Sequence, residues 1–395
     1  MKLTKRLIAL ALSGVLMLGG LTACGKVEVN LPEYDPATLD TATITDLTEF
    51  LIGVPGETVA ATLNGEDITA DELVYWIVAH CDSLQQSAYQ TTGTLTIPWD
   101  ADMGDGLSLE DYVRKQSISL AINQRMVAQM GEKEGLQITQ EQQDQVQQIL
   151  DSIAAEGMTQ IGATLDQYLG LSMALDEALF RLNWRCDFMH DALTEARFTG
   201  ENAPAEEDIL AWLAEEQGLY RVKHILISTQ DVEEEKLKEK RALADDLLAQ
   251  LLAAEDPIAL FDQLMLEYGE DPGVASNPDG YLAQPGQMVA EFEQTALNLQ
   301  EGTFSDVVTS QFGYHIILRL PLNVDVEQYK TDYINSAMAQ LVVGWVEQSK
   351  LETAEFCGEV DVQAVHERMT AYRNRFGQPP VEATEPAEGD SSVAE

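Results

Sequence analysis

The sequence predicts an α+β protein in which a compact α/β domain interrupts a mainly helical one. Three observations carry this. Apolar residues recur at helical intervals over long stretches before Glu216 and again after Val326. Two short β-branched, apolar runs, "VKHILIST" (222–229) and "GYHIILRL" (313–320), read as strands. Helical and turn-rich segments lie between them, so the order βααβαββ falls within roughly a hundred residues, enough for one small sheet with helices.

A chain of 395 residues has room for two or three domains, and 45% hydrophobic residues can supply their cores. Residues 1–24 are set apart before any fold is read. Lys2, Lys5 and Arg6 form a basic start, Leu7 to Leu18 an apolar stretch, and "LTAC" closes the segment at Cys24. The apolar stretch is too short for a stable membrane span. With Leu three positions before the cysteine, it resembles the signal peptide and lipobox of bacterial lipoproteins. That resemblance implies cleavage before Cys24 and its lipidation with diacylglycerol and palmitate. The body would then be anchored on the extracytoplasmic face of the cell membrane, and several acyl chains on one residue hold far better than one. An ordinary secretory signal with an incidental cysteine is the alternative.

The formal net charge is −44, and loss of residues 1–23 removes only basic charges. Such a surface repels nucleic acid and anionic headgroups, so neither is expected as a partner. Cys81, Cys186 and Cys357 are widely spaced and odd in number, which is neither a disulfide framework nor a metal pattern. "DADMGDG" (100–106) has the wrong acidic spacing for a calcium loop. Neither a metal nor a cofactor is expected.

Residues 25–56, rich in Pro, Thr and Asp and weakly patterned, read as a spacer. "VAATLNGEDITADEL" then gives a short strand, an Asn64-Gly65 turn and a helix start, with Thr69 and Glu72 at capping-box spacing. Further amphipathic stretches cover 109–131, 140–155, 165–197 and 205–216, and Thr139 and Gln142 offer a second capping box. From Tyr220 the pattern changes to a strand, two helices, a Gly/Pro/Asn/Asp-rich loop (270–280) and a short strand near Tyr281. A helix around 290–299 and two more strands follow. Val326–Glu347 is again a long helix, and another segment lies near 361–376. The expected organisation is a signal peptide (1–23), lipid anchor and spacer (24–56), helical domain (57–218) and α/β domain (219–321). C-terminal helices (322–376) pack back on the helical domain, and an acidic tail (377–395) is expected to be disordered.

Residues 219–321 resemble a parvulin-type peptidyl-prolyl isomerase domain, the module of PrsA-like foldase lipoproteins and SurA-like chaperones. The resemblance is carried by "VKHIL" (222–226), "PGQMVAEFEQTALNLQEGTFSDVV" (285–308) and "QFGYHIILRL" (311–320). It implies a four-stranded sheet flanked by helices, inserted into a SurA/PrsA-like helical chaperone domain. It also implies catalytic roles for His224, Asp271 and His315, and a proline-binding wall of Leu282, Met288 and Phe292. Phe312 completes the substrate-binding set. The sequence departs from the family at "NPDGYLA" (277–283), where many relatives carry a Gly-Gly-Asp-Leu-Gly-type stretch. Phe312 stands where many have a hydroxyl, and Pro272 follows Asp271 directly.

The residue chemistry fits this reading. Rotation about an X-Pro bond faces a barrier of about 18–20 kcal/mol because the planar amide has partial double-bond character. An apolar slot for the proline ring and polar groups aimed at the amide can lower it without a nucleophile or metal. Two roles are open to the histidine pair: acting on the rotating amide, or holding the floor of the cleft in shape. Taken singly, a strand histidine, a Met–Phe pair and a loop aspartate are usually structural, and only the domain-wide match gives them this meaning. Two functions follow. One is a membrane-anchored isomerase acting on unfolded or partly folded secreted proteins; the other is a weakly catalytic holdase that binds the same clients. A second copy of the chain, forming a homodimer, is a further candidate partner.

Overall fold

Asn64 and Gly65 both take positive φ, 54° and 89°, as a two-residue hairpin turn requires. They join strand β1 (Val59–Leu63) to an antiparallel β2 (Glu66–Thr69). The sequence shows the turn but hides the second strand, which is four residues long and runs straight into a helix. The computed structural model describes residues 27–104 and 106–378. The expected signal peptide, Cys24 and residues 379–395 of the tail lie outside the described residues.

The chain divides into two units, one running to Asn202 and resuming at Asn335, the other formed by Ala203–Ile334. In the first, α1 (Leu47–Ile52) starts on Asp46, whose carboxylate accepts the Glu49 N–H. Helix α2 (Ala70–Thr92) follows the hairpin, and the Glu72 side chain accepts the Thr69 N–H at its start. Next come α3 (Leu109–Lys133) and α4 (Gln140–Ile161), the latter capped by reciprocal bonds between Thr139 and Gln142. The stretch 165–197 is two helices rather than one, α5 (Leu165–Met173) and α6 (Glu177–Phe198). Ala174 turns left-handed between them at φ 54°, and Asp176 caps the second helix through the Leu179 N–H.

The second unit opens with α7 (Glu206–Glu215) and β3 (Tyr220–Ser228). It continues through α8 (Glu234–Ala253), α9 (Pro257–Tyr268), β4 (Tyr281–Ala283) and α10 (Ala290–Asn298). It closes with β5 (Val308–Ser310) and β6 (Gly313–Leu320). The four strands form one antiparallel sheet in the order β4-β3-β6-β5. The sequence assigns residues 205–216 and 322–376 to the helical domain, and the chain does rejoin the first unit from Asn335. Before that point, Ile209 and Leu213 of α7 instead cluster with Leu219 and Leu322, flanked by Tyr329 and Tyr333. The reason is register: Arg221 sits opposite Leu320, so the segments entering and leaving the sheet are neighbours and cover each other.

Helix α11 (Lys330–Glu347) leads back to the first unit, followed by β7 (Leu351–Thr353) and α12 (Val362–Arg375). Strand β7 adds to β1, with Leu63 opposite Leu351, and makes a three-stranded sheet β2-β1-β7. Its core joins both ends of the sequence, packing Leu63, Leu73 and Ile77 with Met338, Val365 and Met369. Cys81, Cys186 and Cys357 are buried free thiols. Among the described residues no helix is long and apolar enough to cross a membrane.

The expected spacer is a correction. Phe50, Leu51, Ile52 and Val54 are buried in the first unit. Arg368 of α12 donates to the carbonyls of Pro32 (2.7 Å) and Phe50 (2.8 Å), and its guanidinium lies 4.6 Å from the centre of the Tyr34 ring. Arg375 donates to the Leu39 carbonyl. The segment is held both by this apolar run and through backbone carbonyls, and only the second escapes hydropathy. Arg368→Met is therefore expected to cost about 2–3 kcal/mol, because carbonyls bound by a charged donor are left unpaired. Urea unfolding measures the loss, and limited proteolysis between residues 32 and 46 should become faster.

Candidate active site

Alternation along the two central strands sorts their side chains between the faces. Ile225, Ile227, Ile316 and Leu318 point to one core, with Leu247, Leu251, Phe261 and Leu264 of α8 and α9. Val222 and Ile317 point to the other, with Phe292 and Ala296 of α10. His224 pairs with Ile317, and His315 with Leu226, so the two imidazoles are diagonal neighbours on this second face. Both are buried, at 8% and 3% exposure.

Their Nδ1 atoms are 3.1 Å apart. His224 Nε2 lies 2.9 Å from Asp271 Oδ2, and His315 Nε2 lies 2.7 Å from Ser310 Oγ. These contacts fix the hydrogens when both rings are neutral. Ionised Asp271 can only accept, so His224 Nε2–H donates to it and His224 Nδ1 becomes an acceptor. His315 Nδ1–H then donates to His224, and His315 Nε2 accepts the Ser310 hydroxyl. Ser310 Oγ in turn accepts the Phe312 N–H at 3.1 Å. The result is a one-way chain of hydrogen bonds from Ser310 to Asp271.

The loop carrying Asp271 is tied to β3. Glu270 N–H donates to the Leu226 carbonyl (2.8 Å), and its carboxylate accepts from Ser228 N–H (2.6 Å) and from Lys240 Nζ (2.6 Å). The next residue is thereby placed against His224. Asp271 Oδ1 accepts the Gly273 N–H at 3.0 Å, and Oδ2 also accepts the Tyr281 hydroxyl. The bond from His224, with smaller help from Tyr281 and Gly273, holds the Asp271 carboxyl well below the usual carboxylate range against the opposing effect of burial. Burial pushes the His315 imidazole down to about 4; His224 adds to this and Asp271 opposes it.

Phe292 covers both rings edge-on, with centroids 5.2 Å from His224 and 5.4 Å from His315 at steep angles. Met288 packs in the same cluster, half-buried, but it precedes α10 rather than lying within it. The structure thus brings together His224, Asp271, His315, Met288 and Phe292. Leu282 is a correction. It pairs with Arg221, so its side chain leaves the sheet on the face away from the histidines and is 43% exposed. Tyr281, one residue earlier, occupies the histidine face. Phe312 is exposed in the β5–β6 turn, where its backbone contacts Ser310 and Thr229. The hydroxyl missing at 312 is supplied by Ser310. Sequence reasoning overlooked Ser310 and Tyr281; the pairing of Ser310 with Gly313 across the β5–β6 hairpin and of Tyr281 with Val222 puts both on the histidine face. Among the described residues no group of His, Cys, Asp and Glu is arranged to hold a metal.

Comparison with known proteins identifies this unit. Residues 224–320 match the family model of the PPIC-type PPIASE domain, or rotamase. The second unit therefore contains a peptidyl-prolyl isomerase domain of the parvulin type. The chain is also similar to foldases and chaperones. It is 34% identical over 143 residues to the foldase protein PrsA of Geobacillus kaustophilus, covering 36% of this chain and 43% of that protein. PrsA of Caldanaerobacter subterraneus is 24% identical over 267 residues, 66% of this chain and 72% of the relative. The chaperone SurA of Chromohalobacter salexigens is 39% identical over 99 residues, 25% of this chain and 21% of the relative. Among solved structures, the parvulin of Nitrosopumilus maritimus is 30% identical, with 26% of this chain and 95% of that one covered and a TM-score of 0.19. At about a third identity, the chain spans less than half the length of the curated PrsA relatives.

The neutral His315 has a consequence for stability. Its folded value, about 4, lies below the roughly 6.5 of an unfolded imidazole, so acid protonates the unfolded chain first. The stabilisation is complete above about pH 6.5 and drains away as the pH falls towards about 4, by on the order of 3 kcal/mol. Urea unfolding at pH 7 and pH 4.5 should show this loss, and His315→Gln should show a smaller one.

Proposed function

We propose that this chain is an extracytoplasmic foldase, anchored through lipid at Cys24, that catalyses cis/trans isomerisation of X-Pro bonds in unfolded secreted proteins. The observation that carries the reading is the convergence of His224, His315, Asp271, Met288 and Phe292 on one face of the sheet. The family match over residues 224–320 and the similarity to PrsA and SurA proteins support it. The uncatalysed step takes tens to hundreds of seconds, slow enough to limit folding.

The mechanism follows from what an amide loses when it twists. Planar resonance places partial charges on oxygen and nitrogen, and the twisted form is less polar. An apolar wall of Met288 and Phe292 that removes water therefore raises the planar form relative to the twisted one. The buried imidazoles act beneath this wall as a fixed floor, since Phe292 covers them. Asp271, whose side chain is 16% exposed against 10% for His224, is the charged group available to orient the substrate backbone. The first unit would hold the client and raise its concentration at the cleft.

Leu282 points away from this wall and Tyr281 takes its face, a departure from the family pattern that favours a second reading, a weakly active holdase. One comparison separates the two. The purified chain is assayed on a proline-containing peptide and for suppression of client aggregation, alongside Asp271→Ala and His224→Ala. The isomerase reading expects a clear rate enhancement that falls roughly tenfold or more in both variants. An inactive parent that still suppresses aggregation would replace it with the holdase.

A further inference from the structure

Tyr281 lies on the histidine face of β4, its ring centroid 5.7 Å from that of His224. Its hydroxyl donates to Asp271 Oδ2, the oxygen that also accepts His224 Nε2–H. Two glycines make this reach feasible. A Cβ at Gly273 would sit 2.2 Å from the Tyr281 hydroxyl oxygen and 3.2 Å from the ring carbon bearing it. Gly280 turns the chain at φ 98°, where a Cβ would also lie 2.7 Å from the Val222 carbonyl. A cleared space and a left-handed turn thus deliver one hydroxyl to one carboxylate oxygen.

We propose that Tyr281 is a positioning residue of this site: its hydroxyl holds the Asp271 carboxylate on His224 and so sets the direction of the hydrogen bonds running through His224 and His315 to Ser310. The link to activity rests on the isomerase reading. A carboxylate oxygen shared by two donors binds each less tightly than it would bind one. Burial and the neighbouring carboxylate keep the Tyr281 phenol protonated, so it always donates. Without it, Asp271 pulls harder on His224 and favours imidazolium there. A charged His224 must donate from Nδ1 as well, which reverses the bond to His315. The titratable groups facing the pair are Asp271 from the loop and Tyr281 from β4; β5 offers the Ser310 hydroxyl, and α10 the uncharged Phe292.

The test uses the full chain labelled with 15N at histidine, of which the sequence has only five. Imidazole tautomers and the titration midpoint of the pair are read in the parent, Tyr281→Phe and Gly273→Ala, together with kcat/KM for the proline peptide. Tyr281→Phe keeps the ring and removes the hydroxyl; Gly273→Ala keeps the hydroxyl and pushes it off the carboxylate. Both should raise the midpoint by about half a pH unit or more. Both should lower kcat/KM about three- to tenfold, most on the acid side. Parent tautomers, midpoint and activity retained in both variants would overturn the proposal. An inactive parent whose imidazole signals still move in the variants defeats the isomerase reading but not the role of Tyr281. An active parent with unmoved signals does the reverse.

Discussion

At the centre of the second unit two identical ring nitrogens face each other, the Nδ1 atoms of His224 and His315, 3.1 Å apart. Such a contact is attractive only when one nitrogen carries hydrogen and the other does not. The asymmetry must be imposed from outside the pair, and the structure imposes it at both ends. Asp271 demands a hydrogen from His224, and Ser310 offers one to His315. Burial raises the stakes, since an unmatched polar contact beneath Phe292 has no water to fall back on. The rest of the site can be seen as the means of keeping these two ends in place: β5 carries Ser310, and Glu270, held by Leu226, Ser228 and Lys240, delivers Asp271.

The contrast with the exterior is marked. The chain has 67 acidic residues against 23 Lys and Arg, yet Asp271 is held by three donors, from His224, Tyr281 and Gly273. Exposed charges more than about 8–10 Å away are screened by salt, whereas these short bonds within the site are not. Surface acidity and site chemistry can therefore vary separately.

Much of this was legible in the sequence, and the exceptions share a cause. Short β-branched apolar runs placed β3 and β6, and helical periodicity placed α2, α3 and α4, because each buries apolar side chains. His224, His315 and Asp271 were found because two histidines in apolar strands are conspicuous and the family blocks surround them. What escaped depends on backbone or register. Ser310 and Tyr281 sit in three-residue strands too short to show a period. The assignment of Leu282 failed by a single residue, which in a strand is the difference between two faces. The expected spacer, 25–56, was misread because its apolar run is short, Phe50 to Val54, and the rest docks in part through carbonyls bound by Arg368 and Arg375.

The pairing of β1 with β7 bears on how the protein itself is made. Leu63 must meet Leu351, a partner that leaves the ribosome nearly three hundred residues later, so the small sheet is among the last things to close. Contacts this distant in sequence are slow to form, and the loop that closes them is costly in entropy. Until then Ala61 and Leu63 lack the cover of their final strand, while the second unit, continuous in sequence, can already be complete. A nascent copy would thus spend part of its life in the condition of the unfinished chains it is proposed to serve.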